Sequence, residues 1–213
     1  RKATLQALTW AIEDECCARA EHAAIFASFQ RQRFYLQSQE RWTELARTAR
    51  FVVAFADFNA PAKVITGSPL QVAVPADAPL RREWFLVCAA AHYPACVTGW
   101  EYPGQNTAAD ADRRFEVLWT VDPQVVRDAA TICVRLAESF SPGLGRLLSD
   151  PLLSDPLLSD PLLSDPLPAA SADLRRAMSL LNRMTSYIER TTARGLPAGG
   201  ETATAVEAVH GSF

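Results

Sequence analysis

Histidine is nearly missing from these 213 residues: only His22, His92 and His210 occur, the last in an end rich in Gly, Ala and Thr. The five cysteines, at 16, 17, 88, 96 and 133, fall in no zinc spacing, which leaves His22 and His92 as possible ligands or bases, and no zinc site is expected. An odd cysteine count in a chain too large to need disulfide staples fits a reducing cytoplasm. No apolar run approaches the ~20 residues of a membrane-spanning helix. No basic stripe marks a direct nucleic-acid surface or a helix lying on anionic lipid. No glycine-rich phosphate loop supports nucleotide hydrolysis. A signal peptide is not visible, and because the first residue is Arg1 the existence of a preceding segment stays open.

What is present is a chain 49% hydrophobic, with net charge −3. Residues 1–146 carry 16 Lys and Arg against 16 Asp and Glu, so the whole excess of negative charge belongs to the remainder. The pentapeptide Leu-Leu-Ser-Asp-Pro runs four times from Leu147 to Pro166. Each proline removes a backbone donor and biases the aspartate before it away from helix, and a period of five gives no single apolar face. The tract reads as a mobile linker lengthened by duplication or as a multivalent docking segment. It divides the chain into a compact domain (1–146), the repeat linker (147–168), an amphipathic C-terminal helix (169–194) and a disordered tail (195–213).

Leu5, Leu8, Ile12 and Cys16 predict an amphipathic helix over Ala3–Ala20, with Glu13, Asp14 and Glu15 mostly outside. Ala24–Phe29 leans to strand. Ser38 is placed to cap a helix running through Trp42 and Leu45 to about Ala49, and Phe51–Phe55 reads as a buried strand. A proline-rich excursion holds a short strand, Leu70–Val74. Glu83–Ala89 and Ala95–Glu101 form a hairpin whose opposed positions are expected to sum to 184, setting Trp84 against Trp100, Cys88 against Cys96 and Glu83 against Glu101. Arg114–Val121 is a last strand. Asp122-Pro123 then starts a helix expected to bury Val125, Val126, Ala129, Ile132, Cys133, Leu136 and Phe140. Further on, Ser171 or Asp173 could cap the C-terminal helix, whose stripe is Leu174, Met178, Leu181 and Tyr187 or Ile188; it either folds back on the domain or pairs with a copy or another protein. The fold class is α+β, a mixed sheet of five or six strands with packed helices.

For chemistry, Glu83 and Glu101 stand out. Two carboxylates ~5 Å apart across a strand pair repel unless a cation intervenes, with Arg81, Arg82, Arg113 and Arg114 as candidates. Solvated strand ends are the plainer reading. Trp42, Trp84, Trp100 and Trp119 could wall an apolar ligand cavity or simply fill the core. Arg33 and Arg41 could read a carboxylate or phosphate, or be surface charges. Cys16-Cys17 and the pair Cys88 and Cys96 sit in apolar contexts that favour inert thiols. No nucleophile, base and orienting group come together, so no enzyme is expected and no catalytic residue is named.

Three blocks occur in order. They are Phe29-Gln30 with Arg33-Phe34-Tyr35 and Arg41-Trp42 leading to Phe51–Phe55; Leu80-Arg81-Arg82-Glu83-Trp84 with Leu86-Val87-Cys88 and Trp100-Glu101; and Arg113-Arg114-Phe115-Glu116 with Leu118–Asp122. Together they resemble the DICT domain, the sensory domain of diguanylate cyclases and two-component systems. The segment Ala11–Ala20 resembles the first helix of its actinobacterial members. The resemblance spans residues 3 to about 140 and implies a bacterial signal-sensing module, found alone or joined to cyclic-dinucleotide enzymes, receiver domains or MerR-like DNA-binding heads. No output domain is visible, so the expected partner is a separate signalling or transcriptional output protein, with a small-molecule ligand sensed by the domain. A homo-oligomer through the C-terminal helix is left open, and the cofactor is unknown. The alternative is a scaffold that docks partners through the repeats and the C-terminal helix.

Overall fold

The computed structural model describes residues 1–20, 22–59, 67–105, 109–144, 146, 148 and 178–190. Its frame is a six-stranded mixed sheet in the order β3-β2-β1-β4-β5-β6, formed by β1 (Ala24–Ser28), β2 (Phe51–Ala56), β3 (Leu70–Ala73), β4 (Glu83–Ala89), β5 (Ala95–Glu101) and β6 (Phe115–Thr120). Parallel pairing joins β1 to β2 and β2 to β3, whereas β4, β5 and β6 form an antiparallel meander. The two halves meet at a single antiparallel seam, β1 on β4, where the Ser28 hydroxyl also donates to the Glu83 carbonyl at 3.0 Å.

Helices cover both faces. On the first lie α1 (Lys2–Ile12), α2 (Gln32–Leu36) and α3 (Gln39–Thr48), whose Leu5, Leu8, Ile12, Tyr35 and Trp42 pack on Ile25, Val52, Leu86 and Val97. On the second lies α4 (Pro123–Phe140), with Val126, Ala130, Cys133 and Ala137 against Phe26, Phe55, Val72 and Val87. Each fully buried Leu, Ile or Phe contributes roughly 1.5–3 kcal/mol relative to exposure. Asp122 caps α4 as expected, its Oδ1 accepting from the backbone N–H groups of Gln124 and Val125 at 2.8 and 3.1 Å. Val125 and Ile132, expected inside, are 51% and 56% exposed. The fully buried stripe is 126, 130, 133, 134 and 137, with Ala129, Leu136 and Phe140 packed half-buried beside it, so these two fall on the outer side.

The first helix ends differently from expectation. After Ile12 one π turn, Glu13–Cys17, inserts an extra residue, and Ala18 N–H donates to the Glu13 carbonyl five residues back at 2.8 Å. The inserted residue rotates Glu13 and Glu15 inward with Cys16 and Cys17, so these two carboxylates are buried rather than outside. Ser38 begins α3 without capping it; its hydroxyl donates back to the carbonyls of Phe34 and Tyr35.

The β4–β5 register is shifted by one from the expected pairing. Opposed positions are Glu83 with Trp100, Trp84 with Gly99, Val87 with Cys96 and Cys88 with Ala95. Glu83 therefore faces α4 while Glu101 faces α1, and Cys88 and Cys96 point to opposite faces. The physical reason lies at Gly99: a β-carbon there would come within 2.7 Å of Leu5 Cδ2, so the missing side chain is the seat of α1 on the sheet. A strand buried on both faces carries no in-out alternation to fix its register in advance.

Residues 178–190 are helical and lie against the first face, burying Leu180 with Met184 and Tyr187 packed beside it; Met178 is 49% exposed. The contact stripe is thus 180, 184 and 187, and the caps expected at Ser171 or Asp173, like Leu174, fall outside the described residues. So does the repeat tract apart from Leu148, which is buried in the second core.

Candidate functional site

The sheet end at which β1 and β5 finish and β4 begins opens into a cleft of about 670 Å³. It lies beside the parallel-to-antiparallel seam, and strand carboxyl ends at a switch of topology are where open sheets leave room for ligands. Gln30, directly after β1, takes a left-handed backbone (φ 59°) and is 3% exposed, which turns its amide into the cleft wall. Arg31 and Arg33 come from the start of α2, Arg81 and Arg82 from a 3₁₀ turn before β4, Glu101 from the end of β5, and Arg113 from the approach to β6. A smaller opening of about 570 Å³, lined by Arg31, Gln32, Arg33, Leu36, Asp57 and Asn59, adjoins it through the shared arginines.

A polar network forms the floor. Arg113 grips Glu101 through Nε at 2.8 Å and through Nη2, and donates from Nη2 to Gln30 Oε1 at 3.0 Å and from Nη1 to Asp110 at 3.1 Å. Gln30 Nε2 donates to Glu101 at 3.4 Å. Lys2, the first residue of α1, completes the network: its ammonium pairs with Asp110 and stands 4.2 Å from the Phe34 ring centroid and 5.8 Å from that of Trp84. Burial pushes Lys2 below the usual lysine range, against the pull of Asp110. Burial alone would raise Asp110, but Lys2 and Arg113 hold it below the ordinary carboxylate value. Asp57 is likewise held down, against its burial, by the Gln32 backbone N–H and by Arg31 and Arg81.

The sequence candidates divide. Glu101 and Arg33 line the cleft. Trp84 sits behind it, edge-on to Phe115 at 6.3 Å, and Trp100 lies on the opposite face under Arg82 at 5.2 Å. Glu83 shares that face and is raised by burial. Trp42 is buried in α3, edge-on to Phe29 at 5.1 Å, its indole N–H without a partner among the described residues. Trp119 edges the first core. The four indoles do not gather round one hollow. Arg41 instead clamps buried Glu13 and neighbouring Asp14 on the π turn. Of the cations considered for Glu101, Arg113 is the one that pairs with it. Gln30, Arg31, Asp57, Asp110 and Lys2 were not among the sequence candidates; those that reach the cleft are Arg33, Glu101 and the cations weighed for it, Arg81, Arg82 and Arg113.

A second charged site lies at the other end of α1. Arg183 pairs with Glu15 and, at 3.6 Å, with Asp14. Tyr187 donates its hydroxyl to Asp14 and packs 5.8 Å from Trp10, and Ser179 donates to Glu15 at 3.3 Å. Burial raises Glu13, opposed by Arg41. Among the described residues no group of His, Cys, Asp and Glu is arranged to hold a metal ion, and no helix is long and apolar enough to cross a membrane.

A mixed sheet with a polar cleft at its seam offers a place where a ligand can be recognised. The comparison with known families agrees: residues 1–101 match the family model DICT, described as "Sensory domain in DIguanylate Cyclases and Two-component system". That stretch of the chain is a DICT domain, a sensory domain of signalling proteins, and the fold continues past the match into β6 and α4. No curated protein and no solved structure matches the chain.

Proposed function

We propose that the chain is a bacterial cytoplasmic sensory module that takes a small ligand in the seam cleft and reports occupancy to a separate output protein. The observation that supports this reading is the placement of α1. Its first residue belongs to the cleft network, through Lys2 N–H on the Arg113 carbonyl at 2.9 Å and the Lys2 ammonium on Asp110. Its far end, ~16 Å away for 11 residues, runs into the π turn that holds the C-terminal helical segment. A ligand competing for Arg113 or Asp110 would release Lys2 and bias the seating of α1, and with it the dock at Glu15 and Asp14.

Two measurements test the reading. Native mass spectrometry of freshly purified chain should show a retained small molecule, or a metabolite panel should yield a thermal shift. The ligand so found should alter amide exchange in α1 and residues 178–190. Neither retention nor shift would refute sensing; binding that leaves exchange in both segments unchanged would refute the relay.

A second reading, a scaffold working through the repeats and the C-terminal helix, draws support from the helix-gripping surface of the π turn. Deletion of residues 147–213 decides: partner capture lost in the deletion but retained in Arg33→Ala would favour the scaffold.

A further inference from the structure

The charge balance at the cleft narrows the ligand class. Around the two adjoining openings stand six cations, Lys2, Arg31, Arg33, Arg81, Arg82 and Arg113, and three carboxylates. Every carboxylate is engaged twice: Asp57 by Arg31 and Arg81 at 3.3 and 3.0 Å, Asp110 by Lys2 and Arg113, Glu101 by Arg113 and the Gln30 amide. Arg33 and Arg82 have no carboxylate partner among the described residues. Both guanidiniums are nonetheless braced, Arg33 over the Phe34 ring at 4.9 Å and Arg82 over Trp100 at 5.2 Å, with one Arg82 Nη2–H on the Glu101 carbonyl at 2.9 Å. Residues 1–146 are neutral as a whole, so this excess is local.

We infer that the cleft binds a ligand through a doubly charged phosphate group, held by Arg33 and Arg82; this deepens, and rests on, the sensory reading above. Two planar forks offer more donors than one carboxylate accepts, whereas a tetrahedral dianion presents three oxygens to both. Aromatic bracing fixes the guanidinium planes beforehand, which lowers the ordering cost of binding. Arg113, shared between Glu101, Asp110 and Gln30, forms the floor beside them, where the anion can compete for it as the relay requires. A free phosphate ester and a phospholipid headgroup share this chemistry.

Titration calorimetry of the full chain at low salt tests it with four probes: inorganic pyrophosphate, inorganic phosphate, citrate, and vesicles containing phosphatidic acid. Pyrophosphate should bind, Arg33→Ala and Arg82→Ala should each weaken it by about tenfold or more, and Arg82→Lys should fail to restore it. Arg135→Gln, on α4, should change nothing. Vesicle binding with the same arginine dependence and no response to the soluble phosphates supports the headgroup as the source. Citrate binding in place of every phosphate overturns the phosphate class while leaving the cleft a ligand site. Pyrophosphate binding unaffected by both alanine variants overturns the assignment of the site. No heat with any probe, joined to the absence of a retained ligand and of a thermal shift, overturns both readings.

Discussion

Gly99→Ala examines the seat of α1 and the strand register in one experiment. The added methyl would meet Leu5 Cδ2 at 2.7 Å and Cδ1 at 3.4 Å, and Leu5, 1% exposed, has little room to withdraw. Overpacking of this kind costs about 1–3 kcal/mol. Leu5→Ala alone removes a buried side chain and should cost roughly 2–5 kcal/mol. In the double variant the clash is gone, the new methyl occupies part of the vacated space, and alanine is a better strand residue than glycine by roughly 0.5–1 kcal/mol. Gly99→Ala should therefore be neutral or stabilising in the Leu5→Ala background, a coupling of at least ~1 kcal/mol. Urea titrations followed by far-ultraviolet circular dichroism measure all four corners, and each kcal/mol also moves Tm by about 2–4 °C in a chain of this size. Additive costs would refute the packing of α1 on Gly99, and with it the pairing of Trp84 with Gly99.

Three further outcomes are expected. Arg183→Ala removes the pairs to Glu15 and Asp14 and should lower amide protection in residues 178–190 by roughly tenfold, allowing for the partial exposure of the pair, while sheet amides are unchanged; equal protection in the variant would show that Leu180 alone holds the segment. Asp57 and Asp110 have folded values below the ordinary carboxylate range, so their stabilisation is present above ~pH 3.9 and lost as pH falls through the folded values. Asp110→Asn should accordingly lose less stability than the parent between pH 6 and pH 3, and a larger loss would reverse the sign of the argument. All five cysteines are buried, and burial pushes Cys96 up to about 11 and raises Cys17 and Cys133 well above the usual thiol value, so an Ellman titration at pH 8 should find no fast-reacting thiol until denaturant is added.

Local signals carried most of the fold. The Val, Ile and Phe runs located the strands, and Asp122-Pro123 located α4, because propensity and capping act over a few residues. The π turn was hidden, since Leu5, Leu8, Ile12 and Cys16 keep helical spacing straight across the inserted residue. The hairpin register was hidden by sheet faces that are both covered. The cleft was the least legible part: its bonds join Lys2 to Asp110, Gln30 to Arg113 and Arg31 to Asp57, partners brought together only once the seam has closed. The Glu83–Glu101 idea named one residue of the cleft and its cation, Arg113, but joined Glu101 to a carboxylate on the other face. The tryptophans, whose broad indole faces could wall a ligand cavity, instead serve the first core or its edge in three of the four cases.

The single junction between β1 and β4 also bears on how the chain is made. A ribosome delivers the parallel half first, so β1, apolar on both sides, has an uncovered edge until β4 has been synthesised. Only then can the antiparallel ribbon, which closes by local hairpins, fold up and shield it. Nascent chains stalled before residue 83 should therefore be far stickier than those released after residue 101, and the quality-control burden of this protein should concentrate in that interval.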